Sequence, residues 1–319
     1  MTINRTPVDN AIAGPLAGGS HEPTFSGVHS FMRRRLTKDF SDADVVVWGI
    51  PFDAATSNRP GARFGPAAIR RASAIFDGDP QYPSRIDPFA HINVVDCGDC
   101  LIEYERPQDA AAMIEAQARQ FVDAGAHLMS LGGDHFVTLP LLRAHARRHG
   151  PLALVQFDAH QDTWDDDGTK ISHGTFVTRA VAEGLIDPAR SVQIGIRTVS
   201  PADYGIELLD AEECHAMGPG GAAARIKARV GPGPAYLTFD IDALDPAFAP
   251  GTGTPVAGGL TSADALNCLW RLADLDFVGM DVVEVCPPFD HQEITAIAAA
   301  TVAQRYIQIK ALKKRYDMR

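Results

Sequence analysis

Seven short apolar runs punctuate the chain, at Val45–Ile50, Ile92–Val95, Leu128–Leu131, Leu152–Phe157, Ser191–Ile196, Ala235–Phe239 and Phe277–Val285. Most are β-branched or aromatic and almost unbroken in hydrophobicity. That pattern belongs to strands covered on both faces, whereas a sheet with one wet face alternates apolar and polar residues. Helical spacing fills the intervals, over Pro107–Ala124, Leu139–His149, Thr175–Glu183, Gly220–Val230 and Ser262–Ala273. Gly65-Pro66 opens a further helix, since proline in the first turn removes an N–H that has no helical partner. A last helix is expected from about Glu293 to Lys310, capped by Asp290. Strands alternating with helices predict an α/β fold, a mostly parallel sheet with helices on both faces. Ligands of such sheets bind beyond the carboxyl ends of the strands, so chemistry-bearing residues are sought there.

The 319 residues show no internal repeat, low-complexity linker or break in composition. A single domain over 28–319 is therefore expected, preceded by a loosely structured arm over 1–27. A basic patch is expected at Arg33, Arg34 and Arg35. The formal net charge of −11 disfavours nucleic acid and anionic membrane as partners and tolerates a small cationic substrate. Five cysteines, an odd number, argue against a secreted disulfide framework. Cys97 and Cys100 form a C-x-x-C, but no second pair or nearby His completes a zinc site, and they read as ordinary thiols at a strand end. No apolar signal segment opens the chain and no apolar stretch reaches transmembrane length, so a cytoplasmic protein is expected.

Three clusters follow apolar runs. Gly132-Gly133-Asp134-His135 comes directly after the third, where two glycines permit a tight turn and a close backbone approach that presents His135. Asp158-Ala159-His160-Gln161-Asp162 ends the fourth. In an extended chain residues two apart share a face, so Asp158, His160 and Asp162 are expected to point one way and Gln161 the other. Asp240 and Asp242 repeat that spacing after the sixth run, ahead of a Gly/Pro-rich, pocket-lining loop at 249–255. Two imidazoles and four carboxylates without paired Lys or Arg are electrostatically unfavourable unless a cation joins them. The set exceeds the three protein ligands usual for one catalytic zinc, and oxygen-rich ligation suits a hard ion such as manganese. Four carboxylates would balance two such ions.

Together, 132–135, 158–162 and Phe239-Asp240-Ile241-Asp242-Ala243-Leu244-Asp245-Pro246 resemble the motifs of the ureohydrolase family of arginases, agmatinases and guanidino-acid hydrolases. The similarity runs from about Val46 to the C-terminus and looks most like the bacterial agmatinases over 132–145, 192–198 and 279–285. It implies an arginase-like three-layer α/β/α sandwich with about eight strands, and homo-oligomers, trimers or hexamers. It also implies two manganese ions per chain, one held by His135, Asp158, Asp162 and Asp240, the other by His160, Asp158, Asp240 and Asp242. A bridging hydroxide would attack the guanidinium group. His173 would serve as a proton shuttle to the leaving amine, and Glu284 would hold the guanidinium by paired hydrogen bonds. Thr254 is expected beside the guanidinium. Gln161 departs from the family pattern, which commonly has Thr or Ala there.

The expected reaction converts agmatine and water to putrescine and urea. The loop at 163–170 lacks the Asn that arginases use to bind an α-carboxylate, and its acidic stretch would repel one. Asp165, Asp166 or Asp167 could instead favour the distal ammonium of agmatine, with Asp165 taken as the candidate. Guanidinobutyrate or guanidinopropionate remain alternative substrates, with arginine behind them. From other classes, a catalytically silent assembly protein should have lost ligands, and a zinc deacetylase on a related sandwich would not need the extra Asp and His.

Overall fold

The computed structural model describes residues 11, 24–76 and 80–317. Most of the expected N-terminal arm lies outside them. Eight strands form one sheet: β1 (Val45–Gly49), β2 (Val94–Asp99), β3 (His127–Leu131), β4 (Ala153–Phe157), β5 (Val192–Ile196), β6 (Glu207–Asp210), β7 (Pro234–Asp240) and β8 (Asp276–Val283). Their spatial order is β2-β1-β3-β8-β7-β4-β5-β6, and every pairing in the sheet is parallel.

Unbroken apolar runs are explained by cover on both faces. In β1, Val45 and Val47 belong to one core, with α1 (Gly65–Ala72), α5 (Ala211–Val230), α6 (Ser262–Arg271) and α7 (Ile294–Asp317). Val46 and Trp48 belong to the other, with α2 (Ala110–Ala124), α3 (Thr138–His149) and α4 (Phe176–Ala182). The arrangement is the three-layer sandwich expected from the alternation.

Three expectations change. β6 was not anticipated, because Glu207–Asp210 is an edge strand with only Leu209 buried and lacks an apolar run. α5 begins at Ala211 and is broken at Gly218 (φ 65°) ahead of Pro219, so the expected start at Gly220 marks the break within the helix. Arg33 and Arg34 make no surface patch: both are buried, with Arg34 over the Phe89 ring at 3.9 Å. The Asp290 cap is present, its two oxygens accepting from Thr295 N (2.9 Å) and Ala296 N (3.0 Å) at the start of α7. Cys97 and Cys100 are free and buried, and burial pushes their thiols up to about 11 and about 12.

The order places β3, β8, β7 and β4 side by side at the centre. The chain leaves one half of the sheet after β3 and enters the other at β4, which opens a crevice at their carboxyl ends.

Candidate metal centre

Each central strand delivers one part of the site: His135 follows β3, Asp158 follows β4, Asp240 ends β7 and Glu284 follows β8. After β3, Gly133 is required by contact, because a Cβ there would lie 1.7 Å from Phe52 O. The buried Asp134 carboxylate accepts from Ala55 N (2.8 Å) and Phe136 N (3.2 Å), tying the loop after β1 to the turn that carries His135.

The segment after β4 is not extended, which corrects the reasoning from strand spacing. Asp158 Oδ1 accepts from His160 N at 2.7 Å, and Asp162 adopts a left-handed backbone (φ 53°). Likewise Asp240 Oδ1 accepts from Asp242 N at 2.8 Å, and Asp242 lies in a 3₁₀ turn. Carboxylates bonding the backbone two residues on fold these segments back, so the side chains converge through turns. Gln161 does face away: its Oε1 accepts from Ser200 N at 2.6 Å.

All six expected ligands meet. His135 Nδ1 lies 3.0 Å from Asp158 Oδ2, 3.0 Å from Asp162 Oδ2 and 3.2 Å from Asp240 Oδ2. His160 Nδ1 lies 3.1 Å from Asp242 Oδ2 and 3.4 Å from Asp158 Oδ1. Asp158 thus offers one oxygen to each group. His135 Nδ1 is buried and, despite its three oxygen neighbours, makes no hydrogen bond with acceptable geometry. Such an orphaned nitrogen inside a carboxylate cluster fits a cation. Donor atoms about 2.1 Å from one ion lie about 3.0 Å apart across a right angle and about 3.4 Å apart in a tetrahedron.

Without a cation the cluster distorts its own titration. Burial opposes charge on His135, but Asp158, Asp162 and Asp240 raise it well above the ordinary imidazole range. Burial and the charges of Asp242 and Asp158 push Asp240 well above the carboxylate range. Burial with the Asp158 charge pushes Asp162 up to about 6. A divalent cation would relieve that repulsion without borrowed protons.

Above the cluster is a cavity of about 270 Å³, lined by His160, Asp162, Asp240, His173 and Thr254. Ser57 and Trp164 also line it, and sequence reasoning missed both. Thr254 Oγ1 donates to Asp242 Oδ2 at 3.3 Å. His173 is held at both nitrogens, with Nδ1 2.8 Å from Glu284 Oε1 and Nε2 2.8 Å from Ser57 Oγ. Burial lowers its proton affinity, but the neighbouring Glu284 outweighs this and pushes it up to about 9.

Glu284 differs in detail from the expectation of paired hydrogen bonds to a substrate. Its backbone is left-handed (φ 63°), and its Oε1 already accepts from His135 N at 2.9 Å as well as meeting His173. Only Oε2, buried and without a partner, is left for a ligand. Glu284 and Asp165 are not among the cavity-lining residues. Asp165 is exposed, Asp166 is spent on Arg179 (2.5 and 2.7 Å), and Asp167 accepts from Thr169. The acidic loop is therefore less available to a ligand than its composition suggested.

Residues 43–308 match the arginase family. The agmatinase of Chromobacterium violaceum is 51% identical over 290 residues, 90% of each chain. The agmatinase of Cronobacter sakazakii is 52% identical over 86% of this chain and 90% of its own. Among solved structures, one described as a hypothetical agmatinase from Burkholderia thailandensis superposes with a TM-score of 0.94 at 50% identity, covering 97% of this chain and 98% of that one. The proclavaminate amidino hydrolase of Streptomyces clavuligerus follows at a TM-score of 0.87 and 41% identity, over 91% and 99%. Fold, motifs and relatives agree: the chain belongs to the arginase family of binuclear metal-dependent hydrolases.

Proposed function

We propose that this protein hydrolyses agmatine to putrescine and urea with two manganese ions per chain. The observation that carries the metal centre is His135 Nδ1, buried, orphaned and 3.0–3.2 Å from three carboxylate oxygens. Curated relatives about half identical over most of the chain are agmatinases, which supports the substrate. His135, Asp158, Asp162 and Asp240 would hold one ion, and His160, Asp158, Asp240 and Asp242 the other. Four carboxylates with two imidazoles make an oxygen-rich set that suits a hard ion such as manganese.

When bound, the ion pair supplies a nucleophile near neutral pH by lowering the pKa of a water, and stabilises negative charge at the reacting carbon's substituents. The protein's own groups do the rest. Glu284 Oε2 accepts from the cationic substrate, a buried carboxylate whose other oxygen is fixed by the His135 backbone. His173, with Nδ1 on Glu284 Oε1 and Nε2 accepting from Ser57 N (3.1 Å) beside the Ser57 hydroxyl, passes a proton to the leaving nitrogen. Thr254 and Trp164 shape the cavity, and the exposed Asp165, next in the chain to Trp164, attracts the distal ammonium.

The protein acts in the cytoplasm as a trimer or hexamer, with residues 28–319 as one domain; among the described residues no helix is long and apolar enough to cross a membrane. A panel of guanidine compounds tests the substrate. Manganese-loaded protein should release urea fastest from agmatine, and a preference for guanidinobutyrate or another guanidino acid would overturn the assignment while leaving the chemistry standing.

A further inference from the structure

Behind His135, on the side away from the carboxylate cluster, lies a buried polar network. His135 Nε2 is 2.8 Å from Thr238 Oγ1, whose hydroxyl donates to Asp281 Oδ1 at 2.5 Å. Asp281 Oδ2 accepts from Tyr236 OH (2.8 Å) and Thr138 Oγ1 (3.0 Å). Asp281, Thr238 and Thr138 are fully buried. A lone carboxylate in that position is costly unless its oxygens are well supplied with donors, and three hydroxyls supply them. Burial raises the Asp281 carboxyl above its ordinary value, and His135 with the three hydroxyls limits the rise.

Proton counting settles the direction of the chain. Each hydroxyl has one proton, and an ionised carboxylate only accepts. Thr238 spends its proton on Asp281, so towards His135 it can offer only a lone pair. Nε2 must then carry the N–H, so in the neutral ring that a metal requires Nδ1 is the bare nitrogen, and it faces Asp158, Asp162 and Asp240. With the opposite tautomer, two lone pairs would meet at 2.8 Å.

We infer that Asp281, acting through Thr238, is the positioning residue that selects the metal-binding tautomer of His135 and fixes its ring. The inference rests on the metal centre proposed above. It also explains a choice in the core sheet. Thr238 and Asp281 are register partners across β7 and β8, and Tyr236 pairs with Gly279 on the same two strands. A Cβ on Gly279 would lie 2.3 Å from His145 Nε2 and 2.8 Å from the Tyr236 ring, so glycine leaves room for Tyr236 to reach Asp281. The network therefore stands on strands, and its geometry is as rigid as the sheet.

The experiment measures manganese affinity by competition with a chromophoric chelator, without substrate, alongside thermal unfolding. Four variants suffice: Thr238→Val, which keeps the shape and cuts the link; Thr238→Ser, which keeps the hydroxyl; Asp281→Asn; and the double variant Thr238→Val/Asp281→Asn. Affinity at one of two sites should fall about 10- to 100-fold in Thr238→Val and Asp281→Asn, fall no further in the double variant, and stay near wild type in Thr238→Ser. Should Asp281→Asn fail to fold, the valine and serine variants decide alone. Wild-type affinity in Thr238→Val, even with a lowered unfolding midpoint, would overturn the inference, as would losses that multiply in the double variant. A wild-type protein that binds no manganese would instead overturn the metal centre itself.

Discussion

Asp158 is the residue on which the site turns, since each of its oxygens faces a different imidazole. Asp158→Ala should abolish both metal binding and urea release, and metal analysis showing two ions retained would refute the shared role. The clustering of the six candidate ligands was legible in the sequence because metal chemistry needs particular side chains, and those side chains sit at strand ends. The route by which they converge was not. Asp162 reaches His135 through a left-handed residue, and that turn depends on backbone bonds that no residue spacing encodes. Ser57 escaped notice because it is an ordinary residue made relevant by the loop after β1, and Trp164 because attention to its loop went to the acidic residues beside it. Ser57 is nonetheless exposed at the cavity and bonded to His173, so Ser57→Ala should fold normally and lower kcat for urea release about tenfold. An unchanged kcat across the pH range would remove it from proton delivery.

At the level of elements, hydrophobic periodicity located strands and helices whose two faces or one stripe are buried. It failed at β6, where edge exposure removes the apolar run, and at α5, where Gly218-Pro219 splits one helix into two. Two element-level predictions follow from contacts. Gly133→Ala places a Cβ against the Phe52 carbonyl and should cost about 1–3 kcal/mol or more, read as a lower unfolding midpoint. An unshifted midpoint would mean that the loop after β1 yields freely. Asp290→Ala removes two acceptors from the start of α7 and should cost about 1 kcal/mol in urea denaturation, with metal affinity unchanged.

For the whole molecule, the sheet order gathers the candidate ligands that follow β3, β4 and β7 and leaves Glu284 after β8 to brace them. Stability and catalysis respond to pH through different groups. His145 is buried against Tyr236, and burial pushes it down to about 4, so it is neutral in the folded protein. The unfolded chain takes up a proton near the ordinary value of 6.5. Its contribution is therefore present above that value and is lost as pH falls towards about 4, on the order of 3 kcal/mol in all. Thermal unfolding of His145→Gln should show a shallower decline than wild type over that window. Equal slopes would assign the acid sensitivity elsewhere, to the half-buried His127, whose proton affinity is lowered in the same direction.

The central claim is that six side chains from three strand ends hold two ions that power cleavage of a guanidinium group. Manganese bound per chain and urea released from agmatine, measured on one sample before chelation, after chelation and after manganese is restored, test it most directly. The account predicts two ions per chain, loss of urea release with the metal, and its return when manganese is restored. Undiminished urea release from metal-free protein would contradict it.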